Sequence, residues 1–280
     1  MVKTIISGLL LSVSFCQIQE SYNWLKNQPK PWTLNEDEID KILPGFKTHF
    51  PDFQDRLKAI ARWRVNTPYE IFKLGEEVDP DPDPIIRLDV SDCTAHVLTT
   101  LAFAHEKTFA DAKQKMIEIH YKTDSLGKKS PTYVSRWHYT SDRITANPYT
   151  INITDSLFKK EQLTRVNLTL NRKEDGLEFL KLNWNRTADF YFIPTNLIDQ
   201  ILLDKLPEIA GVAFVKNSYK KLGILIAHEG MILENKNLLH ASSEAGKTVE
   251  VDFLDYYFRE SGPLFDGIMI YKYVEIPLLK

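Results

Sequence analysis

Gly223 to Ser243 reads GILIAHEGMILENKNLLHASS. Two apolar runs flank a polar turn, LENKN, and this pattern predicts a β-hairpin. Each run carries one histidine, His228 and His240. Side chains alternate along a strand, so Ile224, Ile226 and His228 are expected on one face, and His240 on the face of Leu238. The two rings meet only if the connecting loop holds an odd number of residues, as in a three-residue loop closed by a bulge. The spacing leaves open the alternative that each ring is a core histidine with satisfied nitrogens.

The same strand character extends on both sides of this hairpin. YTINITDSLF, TRVNLTLNR, DFYFIPTN, GVAFVK, KTVEVDF and GIMIYKYVEI all read as strands. Upstream the period is helical. Ile39 and Ile42, then Leu57, Ile60, Ala61 and Trp63, recur at helix spacing over about residues 34–66. EEVDPDPDPIIRLDVSD is a loop, because alternating Asp and Pro suits neither helix nor strand. It runs into SDCTAHVLTTLAFAH, where Ala95, Leu98, Leu101, Ala102 and His105 share a face and Ser91 or Asp92 can cap. TFADAKQKMIEIHYK gives another helix. Helices first and strands later predict an α+β fold rather than alternating βαβ units. With no composition break, residues 19–280 are expected to be one catalytic domain with an N-terminal helical segment.

The 280 residues are 43% hydrophobic, enough for one large core or two small ones. The net charge of −3 supplies no basic footprint, so nucleic acid is not an expected partner. MVKTIISGLLLSVSFCQIQE has one lysine and then an apolar run from Ile5 to Phe15. A bilayer span needs about 20 apolar residues, so the run fits a secretory leader, residues 1–18, rather than a membrane helix. The expected location is outside the cytoplasm, periplasmic or secreted, with no stable membrane insertion after cleavage. A lipid anchor on Cys16 is the lesser alternative, because Phe15 stands where a small residue is usual.

With Cys16 in or beside the leader, Cys93 is the remaining thiol of an exported chain, which points to reactivity rather than to a disulfide. The alternative is a buried cysteine serving as a small hydrophobe. A helix start favours the thiolate, an imidazole can serve as its base, and a second polar group can orient that imidazole. Cys93, His228 and His240 supply these parts. They could also imitate a three-ligand zinc site, but neither H-E-x-x-H nor C-x-x-C is present. The expectation is therefore a thiol enzyme with no metal and no cofactor. His96 and His105 are read as structural, His49 and His120 as surface or boundary residues, and Tyr256 and Tyr257 as packing a terminal helix. Asn152, Asn167 and Asn185 head N-x-S/T sequons, which matter only in a eukaryotic secretory pathway.

SDCTAHV, AHEG and HASS, in this order, resemble the motifs of the NlpC-type, papain-like cell-wall cysteine peptidases. Within that group the chain is most similar to the AmiA-like N-acetylmuramoyl-L-alanine amidase family. RWHYTSD at Arg136–Asp142, FIPTN ending at Asn196, and the long interval between the cysteine and the first histidine support this narrower likeness, over roughly residues 50–275. The resemblance implies a papain-like fold, with the nucleophile at a helix start packed on an antiparallel sheet that carries the histidines. It implies Cys93 as nucleophile, His228 as general base and His240 as the residue that orients it. Arg136, Trp137, His138, Tyr139 and Asp142 would lie in the substrate cleft. The implied substrate is peptidoglycan or its muropeptide fragments, cut between N-acetylmuramic acid and L-alanine. Cleavage within the stem peptide, or binding of cell wall without catalysis, are the alternatives. The chain departs from the pattern at Ala227, where serine is usual, at Glu229, where an apolar residue is usual, and at AGVAFV, which lacks an acidic residue.

Overall fold

The computed structural model describes residues 18–276. The expected leader, Ile18 apart, and Cys16 lie outside the described residues. Residues 18–26 are helical (α1), and four longer helices follow: α2 (Glu36–His49), α3 (Phe53–Trp63), α4 (Cys93–His105) and α5 (Phe109–His120). Each of these four starts at a side-chain cap. Asn35 and Glu38 form a reciprocal capping box on α2, while Asp52, Asp92 and Thr108 accept from first-turn N–H groups of α3, α4 and α5. Such caps satisfy donors that a helix start cannot satisfy internally.

The sheet is antiparallel and eight-stranded. Its order is β2 (Thr164–Leu170), β3 (Arg186–Pro194), β10 (Gly267–Tyr273), β4 (Ile209–Val215), β5 (Ile226–Leu233), β6 (Asn237–Ser242) and β7 (Lys247–Asp252), with β1 (Thr150–Asn152) also paired to β10. Helices before strands and an antiparallel sheet agree with the α+β expectation. Every residue of β4 is buried. An all-apolar strand of this kind belongs in the middle of a sheet covered on both faces, and two apolar clusters do cover it. One joins α2, α3, α4 and α5 to Met231, Leu233, Leu239 and Met269. The other lies on the opposite face, with Phe214, Ile232, Leu238, Phe253, Tyr257 and Ile268.

Helix α4 packs between α3, α5, β5 and β6. From Ala95 to His105 every residue is buried, including Thr99 and Thr100. A helix apolar on nearly all sides is one enclosed by neighbours. Only its first turn, Cys93 and Thr94, reaches partial exposure. The sequence thus places one cysteine at the single accessible end of the most enclosed helix.

Candidate active site

The hairpin closes through three residues, Glu234 to Lys236, with Met231 opposite Leu239 and Ile232 opposite Leu238. Lys236 has φ 65°, the left-handed residue that a three-residue loop requires. The odd loop, the condition for the two rings to meet, puts His228 and His240 on one face. The ring Nε2 of His228 lies 2.8 Å from Nδ1 of His240, and the rings meet edge-on. Gly230 makes this approach possible: a Cβ there would come within 3.0 Å of the His240 Cβ and 2.8 Å of Leu238 Cδ1.

One expectation for this strand fails. The pairing of β4 with β5 shifts between Phe214 and Val215, opposite His228 and Ile226. Ile224 and Ile226 pack on the helix-side cluster, whereas His228 stacks on Phe214 of the other cluster. The irregularity turns the strand over between Ile226 and His228, so they do not share a face.

Cys93 is the first residue of α4, and Asp92 caps the helix by accepting from Ala95 N. No hydrogen bond joins the thiol to either ring among the described residues. Tyr256 packs against both rings. Its ring centroid is 4.6 Å from that of His240 and 6.2 Å from that of His228. Burial raises the phenol to about 12, with Cys93 among the neighbours that contribute. Tyr69 on the other side is raised by burial and by Cys93 and Asp92. These two tyrosines, read from sequence as packing or not at all, lie within the electrostatic reach of the thiol.

The environment holds all three groups neutral. Burial, then the carboxylates of Asp92 and Glu229, push the Cys93 thiol up to about 12, against the opposing pull of the Glu229 main-chain N–H and the Thr94 hydroxyl. The lowering expected at a helix start is outweighed by these effects. Burial brings His228 down to about 4, and burial together with His228 brings His240 down to about 3. One turn along α4, His96 is wholly buried, with neither ring nitrogen paired, in the fields of Arg64 and His240.

The RWHYTSD residues are largely held by the chain itself. Arg136 bonds Glu76 at 2.6 Å and Asp81 at 2.8 Å. His138 Nε2 lies 2.6 Å from the Tyr133 carbonyl oxygen, and Tyr139 is buried with its hydroxyl on Asn171. Asp142 is buried and pairs with Lys122 and Arg186. Trp137 receives the Lys122 ammonium over its ring at 4.7 Å. A groove of about 590 Å³ beside them is lined by Lys122, Ser130, Thr132, Trp184 and Arg186 among others, and by none of Cys93, His228 or His240. His120 is buried rather than at the surface.

Glu229 is the residue whose importance sequence reading missed. It is buried, and its carboxylate accepts from Thr94 at 2.8 Å, Thr140 at 3.3 Å, Arg143 at 2.5 Å and Tyr271 at 2.9 Å. A glutamate inside an apolar strand signals buried partners, and only its departure from a family pattern had marked it. No group of three or more His, Cys, Asp and Glu side chains is placed to hold a metal ion among the described residues. No described helix is long and apolar enough to cross a membrane.

Comparison with known proteins adds the following. Residues 59–262 match the model of a family described as AmiA-like, N-acetylmuramoyl-L-alanine amidase-like. Among solved structures, a Legionella pneumophila protein is 20% identical, covering 88% of this chain and 100% of its own, with TM-score 0.68. An N-acetylmuramoyl-L-alanine amidase from Bacteroides uniformis is 20% identical over 78% of this chain and 99% of its own, with TM-score 0.58. A Bacteroides fragilis protein described as a candidate xylanase is 24% identical over 76% and 99%, also with TM-score 0.58. At these identities the likeness is one of fold. No curated protein sequence matches the chain.

Proposed function

The chain belongs to the AmiA-like, N-acetylmuramoyl-L-alanine amidase-like family, and from that premise we propose that it is an exported cysteine amidase acting on peptidoglycan or its fragments. The bond cut is the amide between N-acetylmuramic acid and L-alanine. The observation that carries the mechanism is the His228–His240 contact, with Tyr256 packed against both rings and within the field of Cys93 at the start of α4. The arrangement is read as the NlpC-type, papain-like one, within a single catalytic domain that follows the leader.

When the proton shared between the rings sits on His228 Nε2, His228 Nδ1 is left with a free lone pair. Cys93 sulfur attacks the amide carbonyl carbon as its proton passes to that nitrogen. The oxyanion forms at the start of α4, where the Cys93 N–H has no partner within the described chain and the helix end favours negative charge. The C–N bond then breaks, and the leaving amine of L-alanine takes the proton from His228. Water attacks the thioester, giving its proton to the same nitrogen, and the thiol is released. His240 accepts from His228 Nε2 and so fixes both tautomer and ring orientation, the part an orienting residue plays in any such triad.

The neutral pair demands general-base catalysis in the attack step, which typically contributes about 10²–10⁴-fold. Iodoacetamide at mildly alkaline pH tests the thiol directly. It should modify Cys93 and abolish turnover, whereas a chelator should leave turnover intact. Loss of activity to the chelator, restored by zinc, would replace the thiol mechanism by a metal one.

A further inference from the structure

Glu229 follows His228 on β5, and Thr94 follows Cys93 on α4. The bond between their side chains, 2.8 Å from Thr94 Oγ1 to Glu229 Oε1, therefore links the immediate neighbours of the two reacting residues. Cys93 itself meets the main chain of this same residue, since the Glu229 N–H favours its thiolate. The second oxygen of Glu229 accepts from Arg143 on α6 (Thr140–Ala146) and from Tyr271 on β10. Thr140, at the start of α6, shares the first oxygen with Thr94. One carboxylate thus ties four elements together directly beneath the site.

We propose that Glu229 is a positioning residue: it holds the start of the nucleophile helix against the histidine strand, while Arg143 offsets the negative charge that it presents to the thiol. This rests on the reading of Cys93 as nucleophile and His228 as base. Glu229 and Arg143 are each about 1% exposed, and a buried carboxylate is tolerable only when paired and fully hydrogen-bonded. Here both conditions hold. The charged and titratable groups around the thiol are Asp92 from its own helix start, Glu229 from β5, Tyr69 from the segment before α4, and Tyr256 from the short helix Phe253–Tyr257, with the neutral rings of His228 and His240 packed against Tyr256. Of the two carboxylates, Glu229 alone is opposed by a guanidinium, at 2.5 Å. Its net effect on the thiol therefore depends on Arg143 staying in place.

The two parts of this proposal separate by mutation. Thr94→Val keeps the ion pair, deletes one bond to it and removes the hydroxyl that favours the Cys93 thiolate. It should melt close to wild type yet lose about 10- to 100-fold in kcat with little change in KM, because misplacement of reacting groups by an ångström costs on the order of 10²-fold. Glu229→Gln keeps shape and acceptor but removes the anion and leaves Arg143 uncompensated. At fixed pH 8 its Cys93 should react with iodoacetamide about tenfold faster or more, one pKa unit or more of thiolate gained. A Thr94→Val enzyme with wild-type kcat would overturn the clamp. A folded Glu229→Gln enzyme that melts earlier with unchanged alkylation would reduce Glu229 to a structural residue. If Glu229→Gln fails to fold, Thr94→Val decides through its kcat and its alkylation rate at pH 8 together: a kcat loss with little change in alkylation supports the clamp, and an alkylation rate that falls in step with kcat assigns the loss to the hydroxyl beside the thiol and overturns it. Failure of the underlying reading looks different: Cys93→Ala would then turn over normally.

Discussion

Gly230→Ala adds one methyl group on β5 where it faces Leu238 and His240 of β6. The new Cβ would meet Leu238 Cδ1 at 2.8 Å, the His240 Cβ at 3.0 Å and the Leu239 carbonyl oxygen at 3.0 Å. Two of these three contacts belong to backbone or to the root of a side chain, which cannot turn aside. Strands β5 and β6 must separate by a few tenths of an ångström, and His240 moves with its strand. Overpacking of this kind costs about 1–3 kcal/mol. At about 2–4 °C per kcal/mol for a domain of this size, melting should fall by about 2–12 °C. The 2.8 Å bond from His228 to His240 would lengthen, and turnover should drop by roughly tenfold or more, as for other small misplacements of catalytic groups. Differential scanning calorimetry and single-turnover kinetics on the same preparation read both effects. A variant with unchanged melting and unchanged turnover would refute the close approach and, with it, the role given to the ring pair.

The histidines make three further outcomes testable, together with the leader. His228, His105 and His138 are held at about 4 and His240 at about 3, all chiefly by burial, and His96 and His120 lie well below the usual value. Between about pH 6.5 and 4 the unfolded chain binds protons that the folded chain refuses, so stability should fall as pH falls, by about 1.4 kcal/mol per unit for each such ring. Raised carboxyls at Glu76, Asp92 and Glu106 offset part of this loss. Urea midpoints at pH 7.5 and 5.5 should differ clearly, and an equal or higher midpoint at 5.5 would contradict the burial account. His228→Ala should nearly abolish turnover, while His240→Asn or His240→Gln should keep more than His240→Ala, since an amide oxygen can accept from His228. Equal losses in all three His240 variants would remove its orienting role. Bacterial expression of the full chain should yield an exported protein starting within about the first 25 residues; a Met1 terminus on the exported form would argue against cleavage, and a lipid on Cys16 would favour an anchor.

Much of this architecture could be read in the sequence because it rests on local rules. Ser91 or Asp92 before an apolar helix placed Cys93 in its first turn, and LENKN allowed the odd loop that brings the two rings together without requiring it. Strand alternation failed only at Ala227, where an irregularity in pairing with β4 reverses the side chains; nothing within β5 announces a partner strand's register. The thiol's ionisation was also beyond sequence reading. A helix start argues for a thiolate, but Asp92, Glu229 and burial argue against it more strongly, and burial is a property of the assembled core. RWHYTSD shows the same limit from the other side. Its aromatic and charged residues look free for a ligand, yet Arg136 and Asp142 are already engaged by acids and bases from distant segments. Glu229 was visible as an oddity, but its four donors come from residues spread between Thr94 and Tyr271.

The most direct measurement is mass spectrometry of purified muropeptides digested by the wild-type chain and by Cys93→Ala. The account predicts two products from the wild type, a sugar bearing a free lactyl carboxylate and a stem peptide beginning with a free L-alanine amine, and no cleavage by the variant. Products cut within the stem peptide, or an unchanged digest by Cys93→Ala, would contradict it.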